Sequence, residues 1–333
     1  TMSGHSSTTL SHSSITTETR GTTVTLTTKD NAGNVCTKIE TIKVDKTAPT
    51  CGSMTVNGTL GLNGWYTSNV LIVKTNGTDA LSGHKSTSLN SSSIASDTSG
   101  KTIVLTTMDN AGNTCKAEKT IKVDKTKPTC GSMTASGTTG LNDWYTSDVT
   151  ITKTNGTDTF SGHKSTTITH TSITEETSGT VVTLTTTDNA GNTCTTSKTV
   201  KMDKTRPNCG SMTVNGTLGS NNWYTSNVTI GKANGTDAMS GHSSTTLSHS
   251  SITSDTTGTL VTLMTKDNAG NTCKVEKTIK VDKTKPTCGT MTLSGTLGLN
   301  EWYTSNVSIS KTNGTDTMSG HSSTTLSHSS ITT

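Results

Sequence analysis

The sequence predicts an all-β chain, a tandem array of small two-sheet sandwiches repeating every 79 residues. Three observations carry this expectation. The first is spacing. Cys36, Cys115, Cys194 and Cys273 share one interval, and Cys51, Cys130, Cys209 and Cys288 keep the same one. Trp65, Trp144, Trp223 and Trp302 follow it, as do Pro49, Pro128, Pro207 and Pro286. An unbroken period of this length means one small domain per repeat, strung in series. The second is alternation of apolar residues inside each repeat, with no helical period. The third is composition. Leu, Ile, Val and Phe make up only about one residue in six, near the range of disordered chains, yet the formal net charge is only +4 over 333 residues. The polar mass is Thr, Ser, Asn and Gly, which suits strands joined by tight turns.

The elements follow in chain order. Trp65 and Tyr66 form a recurring pair, and alternation is expected to send the Trp inward and the Tyr outward. Val70 and Ile72 recur as Val149/Ile151, Val228/Ile230 and Val307/Ile309, a two-residue period. Ile103 and Leu105 recur as Val182/Leu184 and Val261/Leu263. Cys115, Ala117, Ile121 and Val123 share one parity after the DNAGN turn. Breaks at NGT, SG, TSG and DNAGN divide the repeat into about six or seven short strands. The expected core is Met54, Val56, Trp65, Val70, Ile72, Leu81, Leu89, Ile94, Ile103, Leu105, Ile121 and Val123. It is thin for a domain under about 80 residues, which calls for a staple.

Several function classes are excluded. Lysines are scattered singly, with no basic run and no interleaved aromatics, so the footprint of nucleic-acid binding is missing. No apolar stretch approaches the length of a membrane span. Polar candidates recur in every repeat and form no Ser/His/Asp or paired-carboxylate arrangement, so no enzyme is expected.

DNAGN (109–113), VDKTKPT (123–129), WYTSNV (65–70) and TDALSG (78–83) together resemble bacterial Ig-like tandem repeats. The resemblance covers essentially the whole chain. It implies an immunoglobulin-like β-sandwich at the bacterial cell surface or outside the cell, acting as spacer, stalk or adhesin. The expected division is a partial repeat at 1–45, whole repeats at 46–124, 125–203 and 204–282, and a partial repeat at 283–333. A longer array is expected around this segment.

Eight cysteines show no zinc-type spacing, and two per repeat in an exported β array point to disulfides. Cys115 to Cys130 is the local pairing; Cys51 to Cys115 is the pairing within one repeat. Loop entropy separates them little, roughly 3 against 4 kcal/mol. Geometry separates them more. The strand after Cys115 runs about eight residues, some 26 Å at ~3.3 Å each, whereas bridged Cα atoms lie within about 7 Å. In an Ig-like sandwich the first strand begins at the pole of the turn that precedes the last strand. We therefore expect Cys51–Cys115, Cys130–Cys194 and Cys209–Cys273, with Cys36 and Cys288 paired outside the segment. Free buried thiols remain the alternative.

Asp30, Asp109, Asp188 and Asp267 open the DNAGN turns, where capping of backbone N–H groups is the expected role. No cofactor is expected beyond calcium, for which Asp79 and Asp109 are the candidates. Calcium takes about six to eight oxygens, and the joint adds one acid, Asp124, between two lysines. His84 and its copies follow the Ser-Gly turn, with His12, His170, His249 and His328 seven residues beyond their neighbours and Ser91 breaking the set. Strand-surface histidine is expected there rather than a metal ligand. The Asn-Gly-Thr sequons, such as 76–78, are read as turns. The expected function is a semi-rigid structural stalk or filament segment. Its partners are neighbouring repeats and, in a fibre, other copies. The alternative is an adhesin whose repeats bind host glycan or protein.

Overall fold

The computed structural model describes residues 3–332, and nearly all regular structure in them is β-strand. The chain divides into two compact units. One comprises Thr1–Thr134, Thr152–Thr169 and Thr183–Ser197; the other comprises Ala135–Ile151, His170–Val182 and Lys198–Thr333. The division runs through residues 125–203, so the architecture is clearest in residues 46–124 of the first unit and 204–282 of the second.

The first unit opens with β1 (His5–Leu10), β2 (Thr19–Asp30) and β3 (Val35–Val44), which form an antiparallel sheet in the order β1-β2-β3. The next repeat supplies β4 (Met54–Asn57), β5 (Trp65–Tyr66), β6 (Val70–Lys74), β7 (His84–Leu89), β8 (Ser93–Ile94), β9 (Thr98–Asp109) and β10 (Thr114–Val123). These make two sheets, β4-β6-β8 and β5-β10-β9-β7. β5 pairs parallel to β10, while β10–β9 and β9–β7 are antiparallel. A three-stranded sheet facing a four-stranded one, with a short early strand running parallel to the last, is the immunoglobulin-like arrangement. In the second unit, strands between Ser211 and Val281 repeat this order, pairing for pairing.

The core lies between the two sheets. Val70, Ile72, Ile94, Ile103, Ile121 and Val123 form its buried centre, flanked by Met54, Val56, Tyr66 and Leu89. The second unit reproduces it with Val228, Ile230, Ile252, Val261, Ile279 and Val281. Leu105 and Leu263 are also fully enclosed. β9 shows strict burial alternation from Ile103 to Asp109, so the period-two pattern in the sequence is the inward face of this strand.

The aromatic pair is oriented opposite to expectation. Val123 is buried and pairs with Tyr66, whereas exposed Lys122 pairs with Trp65. Opposed residues in a ladder share a face, so Tyr66 turns to the core and Trp65 to the outer face of the four-stranded sheet. Trp65 is nonetheless buried, with the Lys122 ammonium 5.6 Å from its ring centroid. The same arrangement holds Lys201 over Trp144 and Lys280 over Trp223. A flexible cationic side chain covers an outward indole here, a cation–π contact that alternation alone cannot anticipate.

Cys51 is bonded to Cys115, Cys130 to Cys194 and Cys209 to Cys273, with Cα separations of 5.3, 5.3 and 5.0 Å. Each bridge ties the chain just before the first strand to the start of the last. Cys36 and Cys288 are free and exposed. Beside the bridge lies a buried polar seam. The Gly77 N–H donates to Thr87 Oγ1 (3.2 Å), which pairs with Thr107 Oγ1 (3.2 Å), and the Gly52 N–H donates to the latter (3.3 Å). Threonine hydroxyls thus satisfy backbone donors that a purely apolar interior would strand.

Replacing Leu263 with Ala is expected to lower the stability of its repeat by about 3 kcal/mol, read from denaturant unfolding. The paired change Cys209→Ser/Cys273→Ser should cost about 4 kcal/mol in the chain-entropy treatment of its loop; reductant should then leave that repeat's unfolding midpoint unchanged.

Candidate metal centre at the joints between repeats

Each DNAGN turn is closed by its own aspartate. Asp109 Oδ1 accepts from the N–H groups of Gly112 (2.7 Å) and Asn113 (2.8 Å), and Oδ2 accepts from Asn113 Nδ2 (2.9 Å). Asp188 makes the same three contacts. Asp267 makes the two backbone ones, and Asp30 accepts from Ala32 and Asn34. The turn asparagine also reaches to the joint. Asn192 Nδ2 donates to the carbonyls of Asp124 (3.0 Å) and Thr126 (3.2 Å), and Asn113 Nδ2 to those of Asp45 and Thr47.

A second acid arrives from the TDxxSG segment. Asp79 Oδ1 accepts from the N–H groups of Leu81 (3.0 Å) and Gly83 (2.8 Å) and from the Ser82 hydroxyl (3.3 Å). These donors, Gly83 foremost, hold its carboxyl below the ordinary value. The third acid comes from the joint itself. Asp124 Oδ1 accepts from the Thr126 N–H (3.1 Å), and Oδ2 reaches the Ser161 N–H (3.1 Å) of the following repeat. Asp45 and Asp203 make the equivalent contacts to Ser82 and Ser240.

The outcome is three clusters of carboxylates: Asp45, Asp79 and Asp109; Asp124, Asp158 and Asp188; Asp203, Asp237 and Asp267. In each, one oxygen from every residue lies within 4.8 Å of the other two. Asp109, Asp124, Asp188, Asp203 and Asp267 are buried. Burial raises the Asp124 carboxyl above its ordinary value, and the charge of Asp158 adds to this. Asp203 is raised by burial first, then by the charges of Asp237 and Asp267. Asp267 Oδ2 is enclosed and has no hydrogen-bond partner. A buried carboxylate oxygen without a donor, facing two more acids, is costly unless a cation neutralises it. Oxygen-only ligands of this kind suit a hard divalent ion such as calcium, with three carboxylates supplying up to six of its oxygens.

The sequence singled out Asp79 and Asp109 as a pair and left the joint acid without a role. The structure brings the two together and adds the joint aspartate of the preceding repeat. The signal was its fixed offset from the other two, concealed because Asp124 belongs to the cluster of the next repeat and not its own. The histidines take no part in these clusters. His84 Nε2 lies 2.9 Å from Thr87 Oγ1, while His12 falls past the strand end.

A further acid fixes the joint from the other side. Asp97 accepts from the Lys125 N–H (3.0 Å) and the Thr126 hydroxyl (2.6 Å), and Glu18, Glu176 and Asp255 occupy the same position at their joints. The Thr284 hydroxyl and the Lys283 N–H lower the Asp255 carboxyl from its ordinary value near 3.8. Its stabilisation is present above that value and is lost as pH falls through the lower native one. The stability difference between the parent and Asp255→Asn, measured by urea unfolding, should therefore be constant from pH 7 to 5 and shrink on acidification below 3.8.

No family model and no curated protein matches the chain. Solved structures do. The extracellular cadherin domains 1–4 of protocadherin gamma B7 align at 10% identity over 79% of this chain and 83% of theirs, TM-score 0.29. A tetra-tandem repeat from the extending region of a large adhesion protein aligns at 16% identity over 79% and 81%, TM-score 0.28. A structure bearing on host cell surface retention of a 1.5-MDa bacterial ice-binding adhesin aligns at 19% identity over 79% and 92%, TM-score 0.26. At these TM-scores they assign no function to this chain.

Proposed function

We propose that the chain is a structural stalk or filament segment of a bacterial cell-surface or extracellular protein, without enzymatic activity. Its repeats act as spacers, stapled internally by disulfides and fastened at the joints by a divalent cation, calcium foremost. The observation that carries the reading is the joint: the same three acids, from two successive repeats, converge at each of three places. An independently mobile linker has no use for so many convergent contacts. When bound, the cation supplies positive charge that offsets the repulsion among the three carboxylates. The chain's own residues orient those acids through their backbone and hydroxyl donors. Asp124, Asp158 and Asp188 would hold it at one joint, and the corresponding sets at the other two.

The disulfides define how such a spacer carries load. Tension arriving at Cys51 crosses to Cys115 and leaves along β10, so residues 52–114 lie off the path. Exposed aromatics would favour the alternative, repeats that bind host glycan themselves, but Tyr66 packs against the core instead of facing outward.

Calcium should raise the melting temperature and chelator should reverse it, since binding at 100 times Kd adds about 2.7 kcal/mol. Asp267→Asn tests the site directly. In chelator the variant should match or exceed the parent, because it removes a buried like charge; in calcium the parent should win. Equal melting temperatures of the parent with and without calcium would sink the metal reading. In single-molecule pulling with disulfides intact, each repeat should release only a short segment, on the order of 50 Å. Reductant should add the 64-residue loop, roughly another 200 Å at ~3.5 Å per residue.

A further inference from the structure

The DNAGN turn that carries one acid of each cluster has a second face, and at two joints a loop from the preceding repeat occupies it. In the first unit the Leu62 N–H donates to the Ala190 carbonyl (2.8 Å) and Asn63 Nδ2 to the Asn189 carbonyl (3.0 Å). In the second unit the Leu141 N–H donates to the Ala269 carbonyl (2.8 Å) and Asn142 Nδ2 to the Asn268 carbonyl (2.9 Å). The approach is close enough to require glycine. A Cβ on Gly61 would stand 2.2 Å from the Ala190 oxygen, and one on Gly140 2.1 Å from that of Ala269. The asparagine sits in the left-handed region, φ 52° in both loops, a conformation Asn tolerates better than most residues.

Two differences separate the turns that carry a loop from the one that does not. Ala190 and Ala269 are fully buried, while Ala111, over which none of the described residues places such a loop, is exposed. The joint acid follows suit: Asp124 and Asp203 are buried, Asp45 only half so. A seated loop therefore goes with a joint carboxylate withdrawn from water. Without a counter-ion that burial opposes seating; with one, the cost is lifted.

We propose that the glycine–leucine–asparagine loop is a latch coupled to the acidic site, so that divalent cation binding and docking of successive repeats strengthen one another. The inference rests on the cation reading of the joints and adds how the site is regulated. Coupling is reciprocal: whatever docking gains from the cation, the cation gains from docking. The sites at Asp124/Asp158/Asp188 and Asp203/Asp237/Asp267 should then bind more tightly than that at Asp45/Asp79/Asp109, which serves as an internal reference.

The test uses the full disulfide-bonded chain titrated with calcium, followed by calorimetry and by displacement of luminescent terbium. The parent is expected to show two tight sites and a weaker one. Gly61→Ala should move one tight site to the weaker class, and Gly140→Ala the other. In the double variant all sites should bind alike, with the loss at each latched site about tenfold or more, within the usual range of coupling. Asn63→Gly/Asn142→Gly keeps the backbone conformation, removes only the amide contacts, and should shift the same two sites by less. It is the deciding variant if the alanines disturb folding, as seen by near-UV circular dichroism. If the parent binds calcium and both double variants bind it identically, the coupling is overturned and the metal site stands. If the parent binds none at millimolar calcium, the cation reading itself fails and the latch with it.

Discussion

The joints depend on one constraint, the burial of several like charges in one small space. Asp109 and its copies end a strand, close a turn and face two other carboxylates at once. Each acid is held in place by donors from its own loop, so none can swing away without breaking local structure. Folding therefore enforces the proximity of the charges, and the neutralising partner has to come from outside the chain. An oxygen of Asp267 that finds no donor in a protein so rich in hydroxyls is the clearest sign of this.

The interior is governed by a different economy. Few large apolar residues are available, and the six that centre each core are β-branched residues on facing sheets. Around them, threonines take positions that larger proteins give to leucine, and their hydroxyls answer backbone donors beside the disulfide. The bridge closes the pole where this polar seam would otherwise be weakest. A disulfide limits the unfolded chain more than it adds contacts, which suits a core too small to stabilise a domain alone.

How far the sequence reached depended on the range of the interaction. The 79-residue period, the alternation in residues 103–109 and the turn glycines are local, and they specify strands and their order. The Trp65/Tyr66 orientation was not legible, because it is set by register against Lys122 and Val123, more than fifty residues away. Alternation says that two neighbours face opposite ways; it does not say which is inside. The role of Asp124 was hidden for a similar reason, its partners being Asp158 and Asp188 in another repeat.

By itself, then, the sequence determined a repeating β array with two cysteines, one aromatic pair and several turn acids per repeat. Period and parity are properties of a chain in one dimension, and they survive any arrangement in space. Tertiary structure decided which acids converge, which face the indole takes and where the loop at residues 61–63 comes to rest. Those outcomes depend on the distance between groups far apart in sequence. Only the packing of the sheets and the path of the chain at each joint fix that distance, to the few ångströms at which charge and hydrogen bonding act.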